Sequence, residues 1–388
     1  MIDFVYYNPT RIVFRKKSVE KTGTLVKEYG KKVLLHYGGG SIKKNGVYDA
    51  VVKSLKDSGI EFVELGGVVP NPRLSLVNEG IKICRDNGVD FILAVGGGSV
   101  IDSAKAIAAG VGCENIWEYF IDGSKPINSA LPLGVVLTIP AAGSESSPSS
   151  VITNEDGKYK RAIHGELIIP KFAVMNPEVT YTMPLKEIAN GCSDIIAHLM
   201  ERYFTNVQNV DLTDRLIEAN MRTILYYGPM AMKEPENYDV RAEIMWGGTI
   251  AHNNLLNTGR VGDWASHEIE HELSAEYDIA HGAGLAIIFP AWMKYVCNVN
   301  PDKFIQFAER VFDVSLSYDN KDRIINEMIG RLENWYKSMG LPTRLSDLNI
   351  DDIKLREMAE KCVEARGTVG QFKKLDADDI YNIYKLAL

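Results

Sequence analysis

The chain has few of the features that are typical of proteins that bind nucleic acid, associate with membranes or lie in oxidising compartments. Its formal net charge of -8 and pI near 5.5 argue against a nucleic-acid or anionic-membrane partner. No apolar run approaches ~18–20 residues, and the N-terminus lacks a basic region followed by an apolar stretch. The 5 cysteines are scattered without a C-x-x-C pair, so we expect reduced thiols. These absences predict a soluble, cytoplasmic protein.

The two halves of the chain have different hydrophobic patterns. At 388 residues it exceeds what one core usually supports, so two domains are expected. Up to about residue 184, helical patterns alternate with short apolar runs at 33–37, 62–65, 91–95, 134–139 and 172–175, whereas helical segments dominate afterwards. This pattern predicts an α/β N-terminal domain with a parallel sheet over residues 1–184 and an all-α C-terminal domain over residues 185–388.

Four residues of the second half have the chemistry of one metal site. Asp194 and His198 lie one helical turn apart, so they share a helix face. On a single straight helix, His267 and His281 would be about 21 Å apart, so the chain must turn between them. Residues 278–284 contain a plausible break. Each histidine alone is more often an ordinary core or surface residue, but a carboxylate and three imidazoles together suit Zn or Fe(II).

The segment 267–271 also matches H-E-x-x-H, the zinc-binding pattern of metalloproteases. In that interpretation His267 and His271 bind zinc, and Glu268 is the general base. The metzincin extension requires glycine and histidine where this chain has Ser274 and Tyr277. This mismatch disfavours a metalloprotease, and a zinc hydrolase is kept as an alternative.

Two glycine-rich turns suggest a nucleotide or phosphate site. The sequence Gly-Gly-Gly-Ser occurs at 38–41 and at 96–99, each time after a predicted strand and before a helical segment. Glycine allows close backbone approach, and a helix N-terminus offers amides to phosphate. Neither copy is a G-x-G-x-x-G or P-loop sequence, and one such turn alone is as consistent with plain loop chemistry. Two copies at the carboxyl ends of strands favour a ligand site.

Five segments together resemble the iron-containing (group III) alcohol dehydrogenase family, butanol dehydrogenase branch, over essentially the whole chain. They are residues 96–105, 138–145, 176–184, 194–198 and 267–271, the last followed by residues 281–285. The resemblance implies an N-terminal dinucleotide-binding domain related to that of dehydroquinate synthase and a helical metal-binding domain, with the metal in the cleft between them. Asp194, His198, His267 and His281 fall on the family's ligand positions. His271 matches a position that faces the nicotinamide and substrate.

The same resemblance assigns positions to the dinucleotide. It implies a pyrophosphate turn at Gly97 to Asp102, a nicotinamide and ribose lining that includes Lys160, and an adenosine end near Asn71. Ala142 departs from the threonine that many members have, which puts a hydroxyl role there in doubt. The predicted cofactor-binding residues are Gly38, Gly39, Gly40, Ser41, Asn71, Gly97, Gly98, Ser99, Asp102, Thr138, Ser147 and Lys160.

The first glycine turn bears on the choice between NADP and NAD. Residues 37–44 contain no carboxylate to accept a ribose 2′-hydroxyl, and they end in Lys43 and Lys44. Amides, a hydroxyl and lysines favour a 2′-phosphate, because charge-assisted contacts to a phosphate dianion are strong. We therefore predict NADP(H), with a permissive site that also accepts NAD as the alternative.

These inferences predict a metal-dependent alcohol dehydrogenase or aldehyde reductase. Hydride would pass between NADP(H) and a short-chain primary alcohol or aldehyde such as butanol or butanal, with one Fe(II) or Zn as Lewis acid and His271 as proton relay. A lyase like dehydroquinate synthase is an alternative, disfavoured because that family's metal site has fewer histidines and a glutamate. Residues 1–15 resemble an edge strand pair, and in this family such strands join across a two-fold axis, so we expect a homodimer.

Overall fold

The computed structural model describes residues 1–121, 125–316 and 320–388, which form two compact units. The sheet unit comprises Tyr7–Met183 and Glu236–Asn253. The helical unit comprises Met1–Tyr6, Pro184–Pro235 and Asn254–Leu388. The main division falls between residues 183 and 184, and two short segments, Met1–Tyr6 and Glu236–Asn253, each belong to the unit on the other side of it. The predicted domain boundaries themselves stay a prediction.

Eight strands lie in the described part of the sheet unit. They are β1 Arg11–Phe14, β2 Lys32–Gly38, β3 Glu61–Val68, β4 Phe91–Gly96, β5 Leu133–Leu137, β6 Ser149–Asn154, β7 Tyr159–His164 and β8 Phe172–Met175. Six of them form a parallel sheet in the order β1-β8-β5-β4-β2-β3, and β6 pairs antiparallel with β7. All five predicted strands are present, which confirms the α/β assignment. The β6–β7 hairpin is an addition to it.

The strand pair predicted within residues 1–15 to join across a two-fold axis stays a prediction, because it would form with a second copy of the chain. Of these residues only Arg11–Phe14 form a strand, and that strand pairs in parallel with β8 at the edge of the sheet. Pro9 precedes it and cannot donate a ladder hydrogen bond. The apolar side chains before the proline stay exposed, Phe4 by 53% and Val5 by 94%.

Fifteen α-helices lie in the described residues. They are α1 Thr22–Val26, α2 Ser41–Lys44, α3 Val47–Asp57, α4 Leu74–Asn87, α5 Gly98–Gly110, α6 Trp117–Ile121, α7 Leu185–Tyr203, α8 Asp211–Lys233, α9 Tyr238–His252, α10 Ala265–Tyr277, α11 His281–Val296, α12 Pro301–Phe312, α13 Lys321–Ser338, α14 Leu355–Val363 and α15 Ala377–Ala387. The last nine follow residue 184, where the sequence predicts helices.

Alternate residues of the central strands point to opposite faces of the sheet. Leu34 and Ile92 join an apolar cluster with residues of α4 and α5, whereas Val33 and Leu93 join a separate cluster with residues of α1 and α3. Helices therefore cover both faces, as predicted. In the register of the β2–β4 pair, Tyr37 lies opposite Val95, so the glycine turns that follow these strands leave the sheet side by side.

The helical unit contains the predicted break between His267 and His281. Helix α10 ends at Tyr277, Asp278 has a left-handed φ of 51°, and α11 begins at His281. Two helices can thus present histidines to one point, which a continuous helix could not.

One helical stretch among the described residues, His281–Val299, has the length and composition of a membrane span. Its mean hydropathy is 1.2, and 72% of the window is buried inside the chain. We expected no apolar run of about this length from the sequence, and His281–Val299 is an exception. A buried core helix passes the same test, so the stretch is weak evidence for a membrane. All five cysteines are free thiols, as expected.

Candidate metal centre and dinucleotide site

Helices α7, α10 and α11 bring a carboxylate and three imidazoles to one point. Oδ1 of Asp194 lies 3.4 Å from Nδ1 of His198, 4.0 Å from Nε2 of His267 and 3.9 Å from Nε2 of His281. Ligand atoms around one tetrahedral zinc, each at ~2.0–2.1 Å from it, are roughly 3.4 Å apart. Asp194, His267 and His281, whose ligand atoms all lie within 4.8 Å of one another, therefore have a spacing that suits a single ion. Nδ1 of His198 lies beside Asp194, and its role as the fourth ligand stays a prediction.

Two buried carboxylates lie behind these imidazoles and fix their protonation. Nδ1 of His267 is 2.8 Å from Oε1 of Glu201, and Nδ1 of His281 is hydrogen-bonded to Glu270. When ionised, these carboxylates only accept, so that each Nδ1 then carries the proton and each Nε2 presents its lone pair towards Asp194. Acceptor atoms of both histidines thus face an acceptor oxygen, which is favourable when a cation lies among them. The donor set fits a divalent metal.

Glu201 also fixes the start of α10. Its carboxylate accepts from the backbone N–H of Trp264 at 2.5 Å and of His267 at 3.0 Å. Burial raises the pKa of Glu201 to about 8, and the two amides oppose that shift. Trp264 has a left-handed φ of 67°, and the Arg202 guanidinium lies 4.7 Å from its ring centroid. Glu201 was not among the predicted site residues, although its spacing of three from His198 puts both on one face of α7.

The contacts of His271 and Glu268 bear on whether residues 267–271 are a metalloprotease pattern or, as the family resemblance implies, place His271 towards the nicotinamide and substrate. The His271 ring centroid lies 5.6 Å from that of His281, and ligand-type atoms of Glu270, His271 and His281 lie within 4.8 Å of one another. Glu268 instead forms an ion pair with Arg366 at 3.4 Å, with 29% of its side chain exposed. Glu268, which a metalloprotease would use as its general base, is therefore paired with Arg366.

Each of the two glycine turns of the sheet unit has a position that favours glycine. Gly97 is the N-cap of the 13-residue helix α5, and a Cβ there would lie 2.8 Å from Cβ of Ile139. In the other turn, Gly38 ends β2, Gly40 has a φ of 98°, and Ser41 begins α2. Gly39 lies between them, and Gly98 and Ser99 form the first turn of α5. The α5 N-terminus offers amides suited to a pyrophosphate.

Asp102 and Lys105 hold the segment that follows Thr138. Asp102 accepts from the Ser144 hydroxyl at 2.5 Å and from the Val151 amide at 2.9 Å. The buried ammonium of Lys105 donates to Oγ of Ser144 and to the carbonyl and hydroxyl oxygens of Ser147. Burial lowers the pKa of Lys105 to about 8, and Asp102 opposes that shift. Asp102 and Lys105 thus both hold Ser144, and Lys105 also holds Ser147. Direct contact of Asp102 with a cofactor stays a prediction.

Lys160 and Asn71 form a pair in the sheet unit. Nζ of Lys160 donates to Oδ1 of Asn71 at 3.0 Å, and both side chains are buried. The assignment of Lys160 to the nicotinamide and ribose lining and of Asn71 to the adenosine end stays a prediction. Thr138 lies beside the second glycine turn, where its N–H donates to the carbonyl of Gly96 at 3.0 Å.

The chain is similar to known proteins over its whole length. The model of the iron-containing alcohol dehydrogenases matches residues 9–177, and that of the Fe-containing alcohol dehydrogenase family, C-terminal, matches residues 188–388. The chain is 44% identical to the probable NADH-dependent butanol dehydrogenase 1 of Bacillus subtilis, strain 168, over 100% of both chains. It is 39% identical to the NADPH-dependent aldehyde reductase YqhD of Escherichia coli K12, again over 100% of both.

A solved structure with the same fold is that of NADH-dependent butanol dehydrogenase A from Thermotoga maritima. It superposes with a TM-score of 0.95 at 42% identity, over 99% of this chain and 98% of that one. The chain therefore belongs to the iron-containing alcohol dehydrogenase family, and it is an NAD(P)-dependent oxidoreductase that interconverts alcohols and aldehydes.

Proposed function

We propose that the protein interconverts short-chain primary alcohols and aldehydes, such as butanol and butanal, with Fe(II) or Zn held by Asp194, His198, His267 and His281. The observation that carries the metal assignment is that the Nε2 atoms of His267 and His281 lie 4.0 and 3.9 Å from Oδ1 of Asp194. The substrate class follows the names of the relatives, a butanol dehydrogenase and an aldehyde reductase.

The roles of the residues follow from their contacts. When bound, the ion would act as a Lewis acid towards the substrate oxygen. Glu201 and Glu270 hold the imidazoles of His267 and His281 in the tautomer that a metal requires. His271 lies next to His281 and, as an imidazole, is suited to exchange a proton with the reacting oxygen.

For the nicotinamide cofactor we propose NADP(H), with NAD(H) also accepted. The amides at the α5 N-terminus are suited to the pyrophosphate, and the first glycine turn supplies amides and a serine hydroxyl for the ribose end. Relatives of both kinds, NADH-dependent and NADPH-dependent, resemble this chain over its whole length. A site that discriminates only weakly is consistent with both.

Steady-state rates test the proposal directly. Metal-free protein would be reconstituted with Fe(II) or with Zn and assayed with aldehydes of increasing chain length, using NADPH and then NADH. We expect oxidation of either nicotinamide that depends on the aldehyde and on the metal, and that is fastest with short unbranched substrates. Absence of aldehyde-dependent oxidation with both cofactors after metal loading would overturn the proposal.

We further propose a cytoplasmic homodimer. The exposed apolar residues Phe4 and Val5 precede the edge strand β1, and unpaired edges with apolar neighbours favour association. Sedimentation at micromolar concentration should give twice the chain mass, and a monomer there would refute the assignment.

A further inference from the structure

A cluster of four side chains lies beside the first glycine turn. The Glu64 cluster consists of Tyr37, Lys43, Tyr48 and Glu64, which come from β2, α2, α3 and β3. The Tyr37 hydroxyl donates to Oε2 of Glu64 at 2.8 Å, and the Tyr48 hydroxyl donates to Oε1 at 2.6 Å. Lys43 Nζ lies 3.9 Å from Oε2 of the same carboxylate. Both oxygens of Glu64 are therefore held beside the turn.

The same cluster also constrains the Lys43 ammonium. Its nitrogen lies 4.9 Å from the ring centroid of Tyr37 and 4.7 Å from that of Tyr48, in cation–π geometry. The hydrogen bond to Glu64 raises the pKa of Tyr48 to about 12, so its hydroxyl stays a donor. Lys43 is thus paired with a carboxylate and two rings rather than directed only at the turn.

The electrostatic balance at this turn differs from the one that the sequence suggests. Residues 37–44 contain two lysines and no carboxylate, which favours a phosphate. In the fold, Glu64 arrives from the edge strand β3, where it pairs in register with Leu35 of β2. One of the two lysine charges is therefore offset by a carboxylate that lies 21 residues further along the sequence.

The position of the Glu64 cluster in the sheet indicates which part of a bound dinucleotide would lie near it. If the pyrophosphate binds at the α5 N-terminus after β4, the adjacent ribose lies over a neighbouring strand end. The strand beside β4 on the side of β3 is β2, and its glycine turn leaves the sheet next to that of β4. The 2′ position of the ribose would therefore face the turn that the Glu64 cluster flanks.

We propose that Glu64 is a specificity-determining residue, which weakens the preference for a 2′-phosphate by pairing with Lys43 and by adding negative charge beside the first glycine turn. The inference rests on the proposed function, since it requires that a nicotinamide dinucleotide binds along the two turns. Removal of the carboxylate would release Lys43 towards a phosphate and lower the repulsion on a dianion.

The test compares kcat/KM for NADPH and NADH in the metal-loaded enzyme. The variants are Glu64→Gln, Lys43→Met and the matched control Glu61→Gln, which removes the same charge from an exposed position at the start of the same strand. A unit charge roughly 8 Å from a phosphate dianion in water changes binding about fivefold at low ionic strength, and less with added salt. We expect Glu64→Gln to raise the NADPH to NADH ratio at least about threefold at low salt.

The other variants make the result specific. Lys43→Met should lower the NADPH to NADH ratio, and Glu61→Gln should leave it unchanged. A ratio in Glu64→Gln equal to that of Glu61→Gln, in an enzyme that is active with either cofactor, would overturn the inference and leave the proposed function intact. If the wild-type enzyme oxidises neither cofactor, the proposed function itself fails.

Discussion

A buried histidine beneath the first glycine turn predicts a defined loss of stability in acid. His36 on β2 is fully buried, with Nδ1 at 2.8 Å from the Leu65 carbonyl and Nε2 at 2.8 Å from the Ser103 hydroxyl. The carbonyl only accepts, so Nδ1 carries the proton of the neutral ring. Burial lowers the pKa of His36 from 6.5 to about 4, and the Leu65 hydrogen bond opposes that shift.

The sign of the effect follows from which state binds the proton first. Between pH 6.5 and about 4 the unfolded chain binds a proton at His36 that the folded chain does not, so the free energy of unfolding falls as the pH falls. At ~1.4 kcal/mol per pKa unit, the full loss is about 3 kcal/mol, of which about 2 kcal/mol appears between pH 7 and pH 5. This contribution is fully present only above pH 6.5.

Urea unfolding followed by tryptophan fluorescence at pH 5, 6 and 7 measures this contribution. His36→Asn keeps a donor for the Leu65 carbonyl but does not titrate, so its stability should fall by about 2 kcal/mol less than that of the wild type between pH 7 and pH 5. The exposed His164→Asn serves as control and should follow the wild type. Parallel pH profiles of His36→Asn and the wild type would refute the reasoning.

Three substitutions in the helical unit test the roles of its acidic and imidazole groups. Glu201→Gln should weaken metal affinity about 10–100-fold in a chelator competition, because Nδ1 of His267 loses its carboxylate partner; an unchanged affinity would contradict this. His271→Ala should lower kcat about 10²-fold or more with metal content intact, and an unchanged kcat would exclude the relay. Glu268→Gln should leave metal content and kcat within about twofold, since its carboxylate pairs with Arg366, and loss of activity would revive the H-E-x-x-H interpretation.

The sequence predicted what depends on local periodicity and spacing. The buried strands are continuous apolar runs, and β2, β4 and β8 lie where those runs occur. Asp194 and His198 could be paired because residues four apart share a helix face, and the separation of His267 from His281 required a break that the structure contains.

What the sequence could not predict depends on contacts between distant segments. Glu201 reaches His267 only because α7 packs beside the start of α10, 66 residues later. Glu64 reaches the first glycine turn because β3 pairs with β2 at the sheet edge. The β6–β7 hairpin was missed because its strands are mostly polar, although Asp156 and Gly157 offered a turn signal.

The central claim is that one carboxylate and three imidazoles of the helical unit bind a single metal ion. Its most direct test is metal content by inductively coupled plasma mass spectrometry, after loading with Fe(II) or Zn and removal of excess metal. The wild type and the exposed-site control His164→Ala should retain one equivalent, and His267→Ala should retain almost none. A full equivalent in His267→Ala, or none in the wild type, would contradict the account.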